Sequence, residues 1–349
     1  MIEEERSYEE NLKRNIESIK EIYKNEFALE TNYNELENIV EQINKNIYNI
    51  DESKQNKIEE NFKQELKDLN EKCELYILSF LVKLYKKSEY LNRMFEIVIN
   101  SKELNKDTKY FVFGQLNYII STFKESLDER TIKLQSKLYE NILEEFNKEM
   151  TNYSFIPKEE RKEDFIIIFT SQILGMRHGP TQTALDICYS LIKYLNKKVM
   201  LINTDDLLTN KGIIPIHNTV VANTNDNIKH ISYKNTSIPF YRTKNEMPNV
   251  KEYINIANVV KKYKPYLLFS IGDKCIISDI CKQIVPTCAI CLSDAMPLTN
   301  SDFIIPFAEL LYELKDKIII KRIYENGVVN DSKYLADAYK EIISSALFK

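Results

Sequence analysis

The chain has 349 residues, enough for two ordinary domains, and its 44% apolar and 29% charged side chains are typical of a globular protein. With 48 basic and 52 acidic side chains, the net charge of −4 argues against a general nucleic-acid binder, because such proteins carry a basic excess. Apolar runs fall short of the roughly 20 residues that span a membrane, and the acidic N-terminus does not resemble a secretory signal. We expect a cytoplasmic protein without a transmembrane segment and with six reduced cysteines.

The first 156 residues differ in composition from the rest of the chain. They lack proline and contain one glycine, Gly114, whereas all nine prolines fall at or after Pro157. Because turns between strands depend on glycine and proline, this region is predicted to be almost entirely helical. The charged segment around Pro157 is typical of a domain boundary. The sequence therefore predicts a helical domain at residues 1–156 and a second domain at residues 157–349.

Two apolar stripes with helical spacing follow each other in the helical region. The first, from Leu29 to Ile50, is a heptad seam, and the second runs from Ile58 to Phe80. A turn at residues 51–55 would join them as an antiparallel hairpin. Packing within one chain and a dimerising coiled coil both fit the pattern, so a homodimer through the helical region stays open. Further helices are predicted at residues 90–100, 108–126 and 129–150.

After residue 164, short apolar runs alternate with helical patterns of about ten to fifteen residues, which predicts a parallel α/β domain. The runs at 165–169 and 199–202 are apolar throughout, as in strands buried on both faces. The expected architecture is a doubly wound, Rossmann-like sheet. Other strands are predicted at residues 219–222, 231–233, 239–241, 266–271, 287–292 and 318–323. Helices are predicted at residues 181–195, 250–263, 276–283, 307–314 and 332–347.

The loop between the first strand and its helix carries the residues of a candidate anion site. Gly175 and Gly179 allow tight turns and a close approach of the backbone to a ligand. Thr181 lies in the first turn of the helix, where unpaired N–H groups and the helix dipole attract anions. Arg177 and His178 add donors beside that turn.

Further candidate ligand-binding residues follow the later strands, at the edge where Rossmann-like domains bind ligands. Each has a reason to be there: an acidic strand end, an aromatic ring for a sugar face, an arginine for a phosphate, or a glycine that lets the backbone approach. Carboxylates after the second strand suit Mg²⁺ or the cap of a following helix, and we favour the cap. These residues are Thr204, Asp205, Tyr241, Arg242, Gly272 and Asp273.

Two motifs typical of other chemistry are incomplete. Cys288 and Cys291 have the spacing of zinc ligands, but they lie in an apolar strand, where residues three apart point to opposite faces. Buried thiols are therefore expected, and no metal site. The loop also superficially resembles that of ParA-type ATPases, but Pro180 stands where a Walker A lysine would be. A degenerate ParA-like nucleotide binder is one alternative function.

Residues 165–300 resemble the N-terminal, acceptor-side domain of bacterial GT-B glycosyltransferases. The resemblance rests on three segments, which run from Ser171 to Leu208, over residues 237–243 and from Tyr263 to Leu292. It implies a nucleotide-sugar substrate, no further cofactor, and a protein or glycan acceptor.

The resemblance also implies roles for particular residues. In many inverting members, a histidine after the first strand is the general base for the acceptor hydroxyl, which points to His178. Asp205 or Asp206 would orient its imidazole. A complete enzyme of this kind has a second Rossmann-like domain for the donor, and the residues after Asn300 are too few for one. We therefore expect a second domain or a donor-domain partner chain; the alternative is a non-catalytic assembly protein with a Rossmann-like domain.

Overall fold

The computed structural model describes residues 10–11, 13–21, 38–39, 41–42, 52–66, 69–122, 128–205, 228–245, 247, 249–272, 274–292 and 297–305. These residues form an α/β protein with a seven-stranded, mostly parallel sheet, which confirms the predicted α/β class. The described helices are α1 (Glu52–Glu65), α2 (Glu71–Tyr85), α3 (Ser88–Asn100), α4 (Lys106–Thr122), α5 (Glu129–Asn147), α6 (Gly179–Lys193), α7 (Val250–Tyr263) and α8 (Ile276–Cys281). The strands are β1 (Lys162–Thr170), β2 (Lys198–Asn203), β3 (His230–Tyr233), β4 (Thr236–Arg242), β5 (Pro265–Ile271), β6 (Thr287–Ile290) and β7 (Phe303–Ile305).

The chain divides into two compact units. One contains α1, α2 and α3 with parts of α4 and α5, and the other contains the rest of α4 and α5, the sheet, and α6, α7 and α8. Tyr139 and Phe146, in the second half of α5, thus belong to the same unit as the strands. In that unit the Phe146 ring packs edge-on against the Tyr253 ring of α7, with centroids 5.0 Å apart. The predicted division at residue 156 stays a prediction.

The second apolar stripe of the helical region forms two helices, α1 and α2, and not the one continuous helix predicted as the second arm of the hairpin. The Asn70 side chain accepts a hydrogen bond of 2.9 Å from the Cys73 N–H and so caps α2 at its N-terminus. Helix α1 begins at Glu52, inside the predicted turn, because residues 52–55 contain neither glycine nor proline. Most of the first stripe, including Leu36, Val40 and Ile43, lies outside the described residues.

The order of the strands is β3-β4-β2-β1-β5-β6-β7, and all neighbours are parallel except β3 and β4. Strand β3 joins β4 through a tight turn in which Lys234 and Asn235 both have positive φ, as in hairpin turns. Without this edge strand, the order is the 3-2-1-4-5-6 order of Rossmann-like sheets. The strands predicted at 219–222 and 318–323, and the helices predicted at 307–314 and 332–347, lie outside the described residues.

The centre of the sheet is buried on both faces, as the apolar runs predicted. Residues 166–170 of β1 and every residue of β5 are buried. Strand β1 pairs with both neighbours, for example through Ile167, which lies beside Met200 of β2 and Leu268 of β5. It begins at Lys162, inside the charged segment that was predicted to be a domain boundary, because backbone pairing does not require apolar side chains. Strand β7, with three residues, was not predicted.

Candidate functional site

The candidate site lies where the carboxyl ends of β1 and β5 meet. The chain leaves β1 towards β2 on one side, whereas β5 is the neighbour on the other side, so the loops after these strands diverge. This topological switch point is where Rossmann-like sheets bind ligands. The loop after β1 comprises residues 171–178, and Gly272 follows β5. The Gly272 N–H donates to the carbonyl oxygen of Ile290 at 2.9 Å, which holds the second loop against β6.

The loop after β1 is held by Thr181, which comes from the first turn of α6. Its hydroxyl oxygen accepts a hydrogen bond of 3.0 Å from the Leu174 N–H, and the side chain is only 1% exposed. A turn closes through the His178 N–H, which donates to the Gly175 carbonyl at 2.9 Å. Thr181 thus shapes the loop from within, while Gly175, Arg177 and Gly179 are exposed.

His178 is the residue that precedes α6, and both of its ring nitrogens have partners. Nδ1 lies 2.9 Å from Thr181 Oγ1, and Nε2 lies 3.2 Å from the amide nitrogen of Gln172. The Nδ1–H tautomer satisfies both contacts, since Nδ1 then donates to Thr181 and Nε2 accepts from Gln172. Burial lowers the pKa of His178 below its ordinary value, so the imidazole is neutral at pH 7. A ligand hydroxyl could reach Nε2 only by displacing the Gln172 amide.

The N-terminus of α6 is open for an anion. No atom lies within 4 Å of a Cβ built on Gly175 or Gly179, and neither glycine has positive φ. The first turn of α6 has no acidic side chain, and no side chain caps it. The exposed Gly179 and the positive end of the helix dipole therefore lie at an uncrowded surface. Arg177 adds a positive charge on the same loop.

Thr204 and Asp205 follow β2, and neither presents a free polar group at this edge. Thr204 is fully buried, and its N–H donates to the Thr170 carbonyl at 2.8 Å. Asp205 lies in the left-handed region with φ 48°, accepts a bond of 2.9 Å from Asn203 Nδ2, and forms an ion pair with Arg242. The side chains of Arg242 and Asp205 are 18% and 13% exposed. The guanidinium predicted to meet a phosphate is thus already paired with a carboxylate, and Asp205 contacts Arg242 rather than His178.

Tyr241 and the loop after β4 are organised by a buried carboxylate. Glu252 is 2% exposed and accepts a bond of 3.3 Å from the Asn245 N–H and a further bond from the Asn245 side chain. The Tyr241 hydroxyl lies 3.5 Å from the Glu252 carboxylate, and burial raises the pKa of Tyr241. Tyr241 is half-buried, so part of its ring stays available to a ligand.

The structure brings most of the predicted residues to one edge of the sheet, although only the loop after β1 and Gly272 meet at the switch point itself. Gly272 has φ 119°, a conformation that favours glycine. Asp273 and Asp206 lie outside the described residues. Sequence reasoning missed Gln172, although it stands in the same loop as His178, and it missed Glu252, whose partners Tyr241 and Asn245 precede its helix.

Other predicted features concern metals and membranes. All six cysteines are free and buried, which confirms the expected buried thiols. Within the described ranges, no three His, Cys, Asp or Glu side chains are grouped so that they could hold a metal ion. No helix among the described residues is both long and apolar enough to cross a membrane.

The chain matches no protein-family model and no curated protein sequence.

Proposed function

We propose that the carboxyl edge of the sheet binds a nucleotide sugar, and that the chain is the acceptor-side half of a GT-B-like glycosyltransferase. The observation that carries the proposal is the 3-2-1-4-5-6 strand order, with the loop that bears His178 at its switch point. The open N-terminus of α6 supports an anionic ligand, since its first turn has no acidic side chain. The sugar acceptor would be a protein or a glycan.

The proposed reaction uses His178 as general base. The acceptor hydroxyl replaces the Gln172 amide at Nε2 and gives up its proton to the neutral imidazole. The acceptor oxygen then forms a bond to the anomeric carbon of the sugar, and the bond from that carbon to the diphosphate oxygen breaks. The nucleoside diphosphate leaves with the bonding electron pair. Thr181, whose hydroxyl oxygen accepts a hydrogen bond from Nδ1–H, holds the ring in the required tautomer.

The proposal includes partners for the remaining functions of the enzyme. A second Rossmann-like domain or a donor-domain partner chain would hold most of the nucleotide. The N-terminal helices would form a separate domain that mediates assembly, for example of a homodimer, in the cytoplasm. In that case, polar substitutions at Leu36, Val40 and Ile43 abolish the dimer and leave ligand binding unchanged.

A non-catalytic ligand-binding role is the second candidate function. It is favoured by the engagement of both nitrogens of His178 within the protein. In this role the Gln172–His178 pair stays intact when the ligand is bound, and the imidazole shapes the loop. The two candidates differ in what His178→Gln does. Ligand binding survives that substitution in both cases. A catalytic chain transfers sugar and loses that transfer in His178→Gln, whereas a non-catalytic chain transfers none with or without the substitution.

The test is a thermal-shift screen against UDP-, GDP- and ADP-sugars, the free nucleotides and ATP with Mg²⁺. A ligand that binds only the folded chain raises its melting temperature. Gly179→Val fills space that is empty in the structure, so it should block the ligand without disturbing the fold. We expect one class of nucleotide sugar to stabilise the chain and Gly179→Val to abolish the shift, while His230→Gln, which changes an exposed histidine of β3, keeps it.

Other results of the screen would point elsewhere. A shift with ATP and Mg²⁺ alone would support a ParA-like nucleotide binder. If a nucleotide sugar binds, transfer is measured as release of the nucleoside diphosphate in the presence of a glycan acceptor and a candidate donor-domain chain. A shift that Gly179→Val leaves unchanged would place the ligand elsewhere in the molecule. If no compound shifts the melting temperature, the chain does not contain a donor site.

A further inference from the structure

A second cleft opens at the opposite, amino-terminal edge of the sheet. It has a volume of about 530 Å³ and is lined by the first residues of β1, β2 and β4 together with the last residues of α6 and α7. Clefts that bind small molecules span roughly 300–1,000 Å³. The cleft therefore has the size of a ligand site, and it is separated from the candidate site by the length of the strands.

The cleft exists because β2 and β4 separate at their amino ends. Their parallel pairing begins only at Leu201 and Phe240. The Phe240 N–H donates to the Lys229 carbonyl on the far side of β4, at 2.8 Å. Successive N–H groups of a strand point in opposite directions, so the nitrogen of Pro239 faces β2. Since proline has no N–H to donate, the ladder cannot extend past this residue.

The walls of the cleft are mostly apolar. Val199 forms part of the buried base, and Pro239 stands on the β4 side. Two aromatic rings form another wall: Phe165 and Tyr263 lie with ring centroids 5.9 Å apart. Tyr263 is 36% exposed, which is high for so large an apolar surface. Covering these side chains would remove apolar area from water and stabilise a bound hydrocarbon.

The rim of the cleft is positively charged. Lys162, Lys197 and Lys198 line it together with one carboxylate, Asp164. The Lys198 ammonium pairs with Asp164 at 2.7 Å, which neutralises both groups. Lys197 Nζ donates to the Glu163 carbonyl at 3.0 Å, and its charge also acts on the Asp164 carboxylate. Lys162 Nζ lies over the Tyr263 ring, 5.7 Å from its centroid. Three ammonium groups and one carboxylate therefore line the cleft, which gives its rim a net positive charge.

From this arrangement, we propose that the cleft binds a free organic anion with an apolar body, such as a medium-chain carboxylate. The hydrocarbon lies against Phe165, Tyr263 and Pro239, and the anionic group lies between the ammonium groups of Lys162 and Lys197. Charge decides in favour of an anion, because a rim with three lysines and one carboxylate repels a cation, and a neutral amphiphile does not balance the excess positive charge. This binding site is independent of the one proposed for nucleotide sugars.

The test is isothermal titration calorimetry of the full chain with sodium decanoate, and with decanol as the neutral ligand of the same length. We expect saturable decanoate binding that weakens at least about tenfold in Lys162→Gln/Lys197→Gln, while decanol binding changes less than about twofold. Tyr263→Ala should weaken the binding of both ligands. Lys251→Gln, at the exposed opposite end of α7, is the matched control and should bind both as the unmodified chain does.

Three results would overturn the proposal. They are the absence of saturable decanoate binding, equal binding by the double lysine variant, and decanol binding as tight as that of decanoate. If the double variant does not fold, the single Lys162→Gln variant decides, since this side chain is exposed and its ammonium group lies over the Tyr263 ring. If the chain sediments with phosphatidylglycerol vesicles, the ligand of the cleft is a membrane surface and not a free anion. A nucleotide-sugar shift that persists in saturating decanoate would show that the two sites are separate.

Discussion

Thr181 and Thr204 were predicted to contact a ligand, but in the structure they support the site without facing it. Both were expected to contact a ligand because they stand at the ends of elements that form the site. Both are buried: Thr181 accepts from the Leu174 N–H, and Thr204 donates to the Thr170 carbonyl. Sequence position identifies which edge a residue reaches, but not whether its hydroxyl points into the loop or out of it. Both threonines therefore determine the shape of the site.

The protonation of His178 gives a prediction at the scale of a single residue. Burial lowers its pKa, so the neutral imidazole is favoured in the folded chain relative to the unfolded one. The stability that comes from this residue is complete above about pH 6.5, the ordinary value, and is lost as the pH falls through the lowered pKa. We expect the NMR titration of the His178 ring to have its midpoint below 6.5.

The chain has only three histidines, so the assignment is simple. The signal that disappears in His178→Gln belongs to this residue. A His178 midpoint at or above 6.5 would contradict the burial argument.

Among the helices, ends are decided by capping side chains more than by the apolar stripe. The stripe from Ile58 to Phe80 continues across a break that Asn70 creates by capping α2. Helix α5 begins in the same way after Asp128, whose carboxylate accepts a bond of 2.7 Å from the Thr131 N–H. Ser88 and Asn92 also donate to this carboxylate. The cap thus ties the start of α5 to α3.

Removing the cap of α5 should destabilise the chain. We expect Asp128→Ala to lower the free energy of unfolding by about 1 kcal/mol, because the Thr131 N–H loses its acceptor. The hydrogen bonds from the Thr131 N–H and hydroxyl lower the pKa of Asp128 to about 2. Its charged form therefore contributes stability above about pH 4 that is lost as the pH falls towards 2.

Urea denaturation between pH 7 and pH 3 measures both effects. Asp128→Asn keeps an acceptor without the charge and is the matched control. Its difference from the unmodified chain should shrink as the pH falls. If Asp128→Ala unfolds at the same urea concentration as the unmodified chain, the cap does not stabilise α5.

At the scale of the whole molecule, the reactivity of the cysteine thiols measures how closely the interior is packed. All six are free and buried, in α2, in α6 and in or beside α8 and β6. Burial raises the pKa of Cys73 to about 12 and raises the pKa of Cys188, Cys281 and Cys288. A thiol that is both buried and protonated reacts only when the surrounding structure opens.

We therefore expect the native chain to react slowly with Ellman's reagent and all six thiols to react at once in guanidinium. The measurement is the absorbance of the released thiolate over time. Lys137→Cys places a thiol at an exposed position of α5 and should add one fast equivalent, which checks the reagent. Two or more fast thiols in the native, unmodified chain would show that part of the interior opens readily.

Patterns within short stretches of sequence determined the α/β class, the buried central strands and the position of the loop that carries His178. These features depend on residues close together in the chain: apolar runs predict buried strands, and a glycine-containing loop before a periodic segment predicts the start of a helix. The tertiary structure alone decided the order of the strands, the pairing of Arg242 with Asp205 and the separation of β2 from β4 at Pro239. Each of these depends on the distance between groups far apart in sequence, and folding sets that distance.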